Sequence, residues 1–438
     1  MDSFTHNRLY PAFCLCPNTV NWPSLRTFRI FFLSSSLIFT IGFLQAQEFD
    51  VLLKGGLLLD PKNGINQQMD VGIKQGKIAA VLSSIDESNA AQVIDVKGLI
   101  VTPGLIDIHG HHFWGTVADA YLSNSFSSLP PDGFCLPAGV TTVVDAGGAG
   151  WRNFKTFKAQ TIDRSKTRVL AFLNIVGAGM SGGAHEQNLL DMDPKLTAME
   201  AKRHAQHIVG IKLAHYSGED WTPTERAVEA GRQANIPIMV DFGRQDQHLS
   251  LEVLFMEKLR PGDIFTHCFA HVRGRMPIVT KEGKLRSFIK PAQQRGIVFD
   301  VGHGGGSFVY AQAIPAIEQG FRPNSISTDL HTGSMNGGMK SMSNLMSKLM
   351  NIGLSLEEVV EQSTWNPAQI IQREDLGHLS IGAVADIAVF QLSTGEYGFI
   401  DTAGKKIVGD KKLITELTFR EGKVAWDLNG RSKPTYKP

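Results

Sequence analysis

The stretch Thr102-Pro-Gly-Leu-Ile-Asp-Ile-His-Gly-His-His-Phe-Trp-Gly115 begins as an apolar strand and ends in three histidines, His109, His111 and His112. Imidazoles are costly to bury without partners. On a strand alternate residues share a face, so His109 and His111 point the same way and Gly110 leaves room between them. Two neutral imidazoles on one face make half a metal site, although paired histidines also occur as ordinary polar residues. The rest of the chain decides between these readings.

Downstream, apolar strands alternate with helical stretches, the pattern of βα units and a parallel sheet. Eight candidate strands run from Leu105–His109 through Thr141–Asp145, Val169–Asn174, Val209–Leu213, Pro237–Asp241, Ile264–His267 and Ile297–Val301 to Ser325–Thr328. Thr222-Pro-Thr-Glu225 reads as a capping box that opens a helix through Ala234. Eight strands at this spacing predict an α/β fold, a (β/α)8 TIM barrel; an open doubly wound sheet has the same periodicity. Short strands and turns flank this middle on both sides, at residues 50–96 and 385–426. They predict one small β-sandwich domain built from both termini. The expected division is 47–102 plus 378–438 for that domain and 103–377 for the barrel.

Residues 1–46 differ. Arg26 and Arg29 precede the apolar run Ile30–Leu44, and Ala46 ends it, which reads as a signal peptide cleaved near Ala46 after an N-terminal extension. The run is short for a membrane span. A secreted or periplasmic protein without stable membrane insertion is expected. Cys135 and Cys268 are then too few for a disulfide framework. The formal charge of +1 argues against nucleic acid as a partner. A homo-oligomer is compatible with the chain.

The polar residues fall at one end of strand after strand. Strand one ends in His109 and His111, strand four carries Lys212, strand five ends at Asp241, strand six at His267, and Asp329 follows strand eight. In a barrel these are the C-terminal ends, where active sites lie. Core stability alone does not gather such side chains at one rim, so the pattern favours a metal site.

These residues carry a resemblance. Val101-Thr-Pro-Gly-Leu-Ile-Asp-Ile-His-Gly-His111, Gly139-Val-Thr-Thr-Val-Val-Asp145, Lys212, Thr364-Trp-Asn-Pro-Ala368 and Gly377-His-Leu-Ser-Ile-Gly-Ala-Val-Ala-Asp-Ile387 resemble the signatures of the amidohydrolase superfamily. Ala171-Phe-Leu-Asn-Ile175 and Phe299-Asp-Val-Gly-His-Gly-Gly-Gly-Ser-Phe308 are most similar to its deacetylase-type, dihydroorotase-related branch. The resemblance implies a binuclear, usually zinc, site. His109, His111 and Asp329 would hold one ion, and His267 the other. Lys212, carboxylated by CO2, would bridge both as an anionic oxygen donor. The alternative for Lys212 is a buried lysine ion-paired to Asp241 or Asp329. The family usually has histidine at the end of strand five, where this chain has Asp241. Aspartate can ligate zinc, with more negative charge and weaker Lewis acidity, or can leave the second position weak or empty.

The implied reaction is hydrolysis of an amide or acetyl ester of a small acylated substrate by metal-activated hydroxide. Asp329 would act as base and then acid. His303, in the run His303-Gly-Gly-Gly306, would contact the substrate carboxylate or leaving group. Cyclic amides and D-amino-acid acyl compounds are alternative substrates. Two other classes compete. Gly179-Met-Ser-Gly-Gly183 matches a serine-esterase elbow, but His303-Gly-Gly-Gly306 then follows the nucleophile instead of preceding it. A periplasmic binding protein on a degraded barrel is the non-enzyme reading.

Overall fold

The computed structural model describes residues 47–113, 127–241 and 249–437, all within one compact unit that begins at Ala46. The signal peptide expected at residues 1–46 lies outside the described residues. Among the described residues no helix is long and apolar enough to cross a membrane.

The middle of the chain forms a seven-stranded, wholly parallel sheet. Its strands are β1 (Leu105–Gly110), β2 (Val140–Gly150), β3 (Arg168–Asn174), β4 (Ile208–Ala214), β5 (Ile238–Asp241), β6 (Ile264–Phe265) and β7 (Val298–Phe299), paired in sequence order. Every residue of β1, β2, β4 and β5 is buried. Burial on both faces explains why these strands read as continuous apolar runs. One face packs on the surrounding helices, with Leu173, Ile238 and Val240 sharing a core with Phe157, Ala227 and Ala230. The other face has its own core of Ile106, Ile108, Val144, Phe172, Met239 and Ile264, joined by Ala368 and Ile371.

Strands β6 and β7 contribute only two residues each to the sheet. Ring packing holds them instead: Phe255 meets Phe265 edge-on at 4.8 Å and Phe299 at 5.2 Å, and Phe299 meets Phe321 at 5.4 Å. The eighth expected strand, Ser325–Thr328, makes only isolated parallel bridges. Ser325 pairs with Asp300 just past β7, and Leu330 pairs with Gly110 at the end of β1. Side chains supplement this sparse ladder. Ser325 and Ser327 donate to Asp300, and Thr328 donates to Asp107 of β1.

The capping box expected at Thr222–Glu225 is not made. The helix does start at Thr222, but Asp220 takes the Thr222 N–H at 2.9 Å. The box occurs instead at Ser355 and Glu358.

The termini form a separate sheet. The β-sandwich expected there is, in hydrogen-bonding terms, a single eight-stranded sheet. Strand Ile100–Pro103 pairs with Phe49–Asp60 on one side and Ile387–Ile400 on the other, which joins the two ends of the chain. Val51, Leu53 and Ile73 from one end share a core with Ile387, Leu417 and Phe419 from the other.

Candidate active site

Register sets the site. Lys212 pairs with Met239, Ala214 with Asp241, and Gly110 with Asp145, so the polar ends of neighbouring strands lie level at one rim. His267 and Asp329 come two residues and one residue beyond their strands, and both have left-handed backbone, with φ of 60° and 50°. His215, just past β4, shares this conformation with φ of 54°. Three such non-glycine residues around one cavity are a mark of a functional site, where strain is held in place by the surrounding structure. Two glycines make room for the polar groups. At Gly147, with φ of 91°, a Cβ would lie 2.6 Å from Cγ of Lys212. At Gly304 it would overlap Asp329 Oδ2.

His109, His111 and Asp329 come together with their ligand atoms within 4.8 Å of one another, all buried. His111 Nε2 is 2.9 Å from Asp329 Oδ1, and His109 Nε2 is 3.6 Å from the same oxygen. A chain of donors fixes the His109 tautomer. Thr266 Oγ1 gives its proton to Asp300 at 2.7 Å, so it accepts from His109 Nδ1 at 2.9 Å. That leaves the lone pair of His109 on Nε2. His267 follows the same logic: Nδ1 donates to the Gly302 carbonyl at 2.6 Å, and the bare Nε2 faces Asp241 Oδ2 at 3.1 Å. Two acceptors at that distance repel unless a proton or a metal ion lies between them. Among the described residues the buried Nδ1 of His111 has no hydrogen-bond partner. Unclaimed ring nitrogens and carboxylate oxygens suit a borderline cation such as zinc.

Lys212 is fully buried beside this cluster, its Nζ 3.3 Å from His109 Nε2 and 3.6 Å from Met239 Sδ. Among the described residues it forms no ion pair with Asp241 or Asp329. Burial pushes its pKa below that of an ordinary lysine, against the opposing pull of Asp241 and Asp329. For Asp329, burial alone would raise the pKa, but the imidazoles of His109 and His111 outweigh it and hold the carboxyl far below its usual range. Asp241 is likewise depressed: burial works against ionisation, and a proton on His267 Nε2, which donates to Oδ2 when no ion lies between them, overcomes it together with Lys212.

The cavity above these groups holds about 230 Å³ and is lined by His111, His215, Asp241, His267, Asp329 and His331, with Arg275, Met180, Gly305 and Gly306 among its walls. Of the residues expected from sequence, His109, His111, Lys212, Asp241, His267 and Asp329 all meet here. His303 does not line the cavity. It is fully buried, stacked on Phe308 at 4.6 Å, with Nε2 2.5 Å from Lys348 Nζ and Nδ1 on the Gly304 carbonyl. The substrate role expected of His303 gives way to a structural one, in which it braces the loop whose glycines form the wall. Ser181 is exposed and donates only to the Ala178 carbonyl, without a histidine partner among the described residues, so the serine-esterase reading falls.

Four contributors escaped the sequence reading. Asp300 anchors Thr266, and Asp107 accepts from Thr328 beside Asp329. Arg275 projects from the loop after β6, and Glu186 bonds His215. Asp107 and Asp300 lie inside strand motifs already quoted, where a carboxylate in an apolar run was the available signal. Arg275 and Glu186 lie in loops without a pattern.

Residues 309–425 match the family model described as the amidohydrolase family. A deacetylase of Brucella anthropi is 35% identical over 340 residues, covering 76% of this chain and 81% of the relative. The solved structure of an adenine deaminase superposes with a TM-score of 0.77 at 28% identity, over 86% of this chain and all of the other. That of a dihydroorotase gives a TM-score of 0.74 at 29% identity, over 85% of this chain and 98% of the other. The chain belongs to the amidohydrolase superfamily, in its deacetylase-type branch, and is a hydrolase.

Proposed function

We propose that the protein is a divalent-metal-dependent deacylase that removes a small acyl group from a compound bearing a carboxylate. Its barrel would be a closed (β/α)8 ring with residues 325–330 as the eighth staff. The observation that carries the reading is the convergence of ring nitrogens on buried carboxylates: His111 Nε2 and His109 Nε2 lie 2.9 and 3.6 Å from Asp329 Oδ1, and His267 Nε2 lies 3.1 Å from Asp241 Oδ2. His109, His111 and Asp329 would hold one zinc ion, His267 and Asp241 the second, and Lys212, carboxylated by CO2, would bridge them. When bound, such ions acidify water and polarise a carbonyl.

The chain's own groups supply the rest. A buried lysine with a depressed pKa and no carboxylate partner is a good amine for carbamate formation: its nitrogen bonds the carbon of CO2 and releases a proton. Asp329 turns Oδ1 to the imidazoles and Oδ2 toward Gly304 and His331. A proton taken at Oδ2 would be handed on to the leaving amine or alcohol, so that the carboxylate serves as base and then acid.

Arg275 supports an anionic substrate. Its side chain is 3% exposed, stacks over Phe265 at 4.7 Å and donates through Nη2 to the Thr266 carbonyl. Among the described residues Nη1 makes no hydrogen bond, and Asp241 Oδ1 lies 3.5 Å from it. A guanidinium held this way can grip a carboxylate. The cavity is below the roughly 300–1,000 Å³ of drug-sized sites, which favours a small N-acyl amino acid or O-acyl hydroxy acid. Zinc-loaded protein offered N-acetyl amino acids, O-acetyl hydroxy acids and cyclic amides is the test. Turnover of the acetyl compounds is expected; turnover of cyclic amides alone would replace deacylation with ring opening.

Secretion or a periplasmic location, from the leader at residues 1–46, is part of the proposal and is supported by sequence pattern only.

A further inference from the structure

The strand-five position offers a carboxylate where an imidazole is expected, and a second imidazole stands beside it. We propose that His215, one residue past β4, supplies that imidazole, so that the second metal position is built from His215, Asp241 and His267. The inference rests on the metallohydrolase reading above.

The geometry is specific. Asp241 divides its carboxylate, with Oδ1 toward the Arg275 guanidinium at 3.5 Å and Oδ2 toward two imidazoles. Oδ2 lies 3.1 Å from His267 Nε2 and 3.5 Å from His215 Nε2. His215 is tethered at three further atoms. Its backbone N–H donates to the Asp241 carbonyl at 3.1 Å, and its carbonyl accepts from Gln187 Nε2 at 2.8 Å. Its Nδ1 is 2.8 Å from Oε2 of Glu186, a buried carboxylate that also accepts from the Gly182 N–H.

Chemistry selects the free nitrogen. An imidazole whose Nδ1–H is taken by a carboxylate presents a lone pair on Nε2, and carboxylate–histidine pairs of this kind support metal-ligating histidines. Here Nε2 of His215 faces the same oxygen as Nε2 of His267, an arrangement that a cation in place of the ring protons would complete. Arg275, 3.5 Å from Oδ1, offsets the negative charge that aspartate adds. The left-handed backbone at His215 is what turns the ring from the end of β4 into the cavity rather than along the strand direction.

Metal stoichiometry tests this without reference to turnover. Full-length protein is loaded with zinc in bicarbonate, desalted and assayed by elemental mass spectrometry. Wild type is expected to hold two equivalents and His215→Ala one. Glu186→Gln, which keeps the side-chain shape, is expected to bind the second equivalent about 10–100-fold more weakly, and it carries the test should His215→Ala not fold. Two equivalents of unchanged affinity in either variant, or a single equivalent in wild type, would overturn the role of His215 and leave a metallohydrolase standing. A wild-type chain that binds no metal at all would remove the metallohydrolase reading itself.

Discussion

His267 gives its Nδ1 proton to the Gly302 carbonyl at 2.6 Å and sets its bare Nε2 3.1 Å from Asp241 Oδ2. A proton or a cation must lie between these two atoms, and a bound cation takes the place of the proton. Metal should therefore stabilise the folded chain by linkage, about 4 kcal/mol when the free ion exceeds its Kd a thousandfold. Thermal melts before and after chelation should differ by on the order of 5–10 °C. A melting temperature insensitive to chelator would mean that no ion fills the gap.

Asp329 is placed for two duties, ligand through Oδ1 and proton carrier through Oδ2. Asp329→Asn should lower turnover by roughly 10²–10⁴-fold while metal content, measured on the same sample, stays substantial. Turnover near wild type would assign proton transfer to another group, with His331 beside it as the next candidate.

Arg275 should act on binding more than on chemistry. Losing a hydrogen-bonded charge of this kind costs about 1.5–3 kcal/mol, so Arg275→Ala should raise KM for a carboxylate-bearing substrate about 10–100-fold. A neutral methyl-ester analogue should show little difference between the two proteins. Equal losses for acid and ester would mean that Arg275 acts only through Asp241 and does not grip the substrate carboxylate.

Buried histidines make the fold acid-sensitive. Burial, with the nearby Lys348 cation, pushes His303 down to about 3, and burial pushes His112 down to about 4, against 6.5 for an exposed imidazole. Between pH 6.5 and these values the unfolded chain binds protons that the folded chain does not, so stability falls as pH falls through that window. Each group contributes a slope of about 1.4 kcal/mol per pH unit. Denaturant melts at pH 7, 5.5 and 4.5 should show the loss, and His303→Gln should flatten part of it. A stability that is constant from pH 7 to 4.5 would contradict the buried neutral state.

The strand pattern was legible because parallel strands buried on both faces must be continuous apolar runs, and seven of the eight expected segments are strands of one sheet. The eighth was less so: Ser325, Ser327 and Thr328 spend their side chains on Asp300 and Asp107, and the ladder there shrinks to single bridges. The histidines and carboxylates at strand ends could be read because strand order fixes their neighbours. His303 could not be assigned the same way. Whether a loop imidazole faces the cavity or Lys348 depends on a helix, Met342–Met350, that lies about forty residues further along the chain. Arg275 and Glu186 were missed for the same reason, since their places come from contacts with Thr266, Asp241 and His215 across separate loops.

The central claim is that cations held by His109, His111, Lys212, His267 and Asp329 perform the hydrolysis. Its most direct test is turnover of an N-acetyl amino acid by one preparation before chelation, after chelation, and after zinc and bicarbonate are restored, with Lys212→Ala alongside. Activity should vanish with the metal, return with zinc and bicarbonate, and fail to return in the variant. Full turnover by metal-free protein, or by Lys212→Ala, would contradict the account.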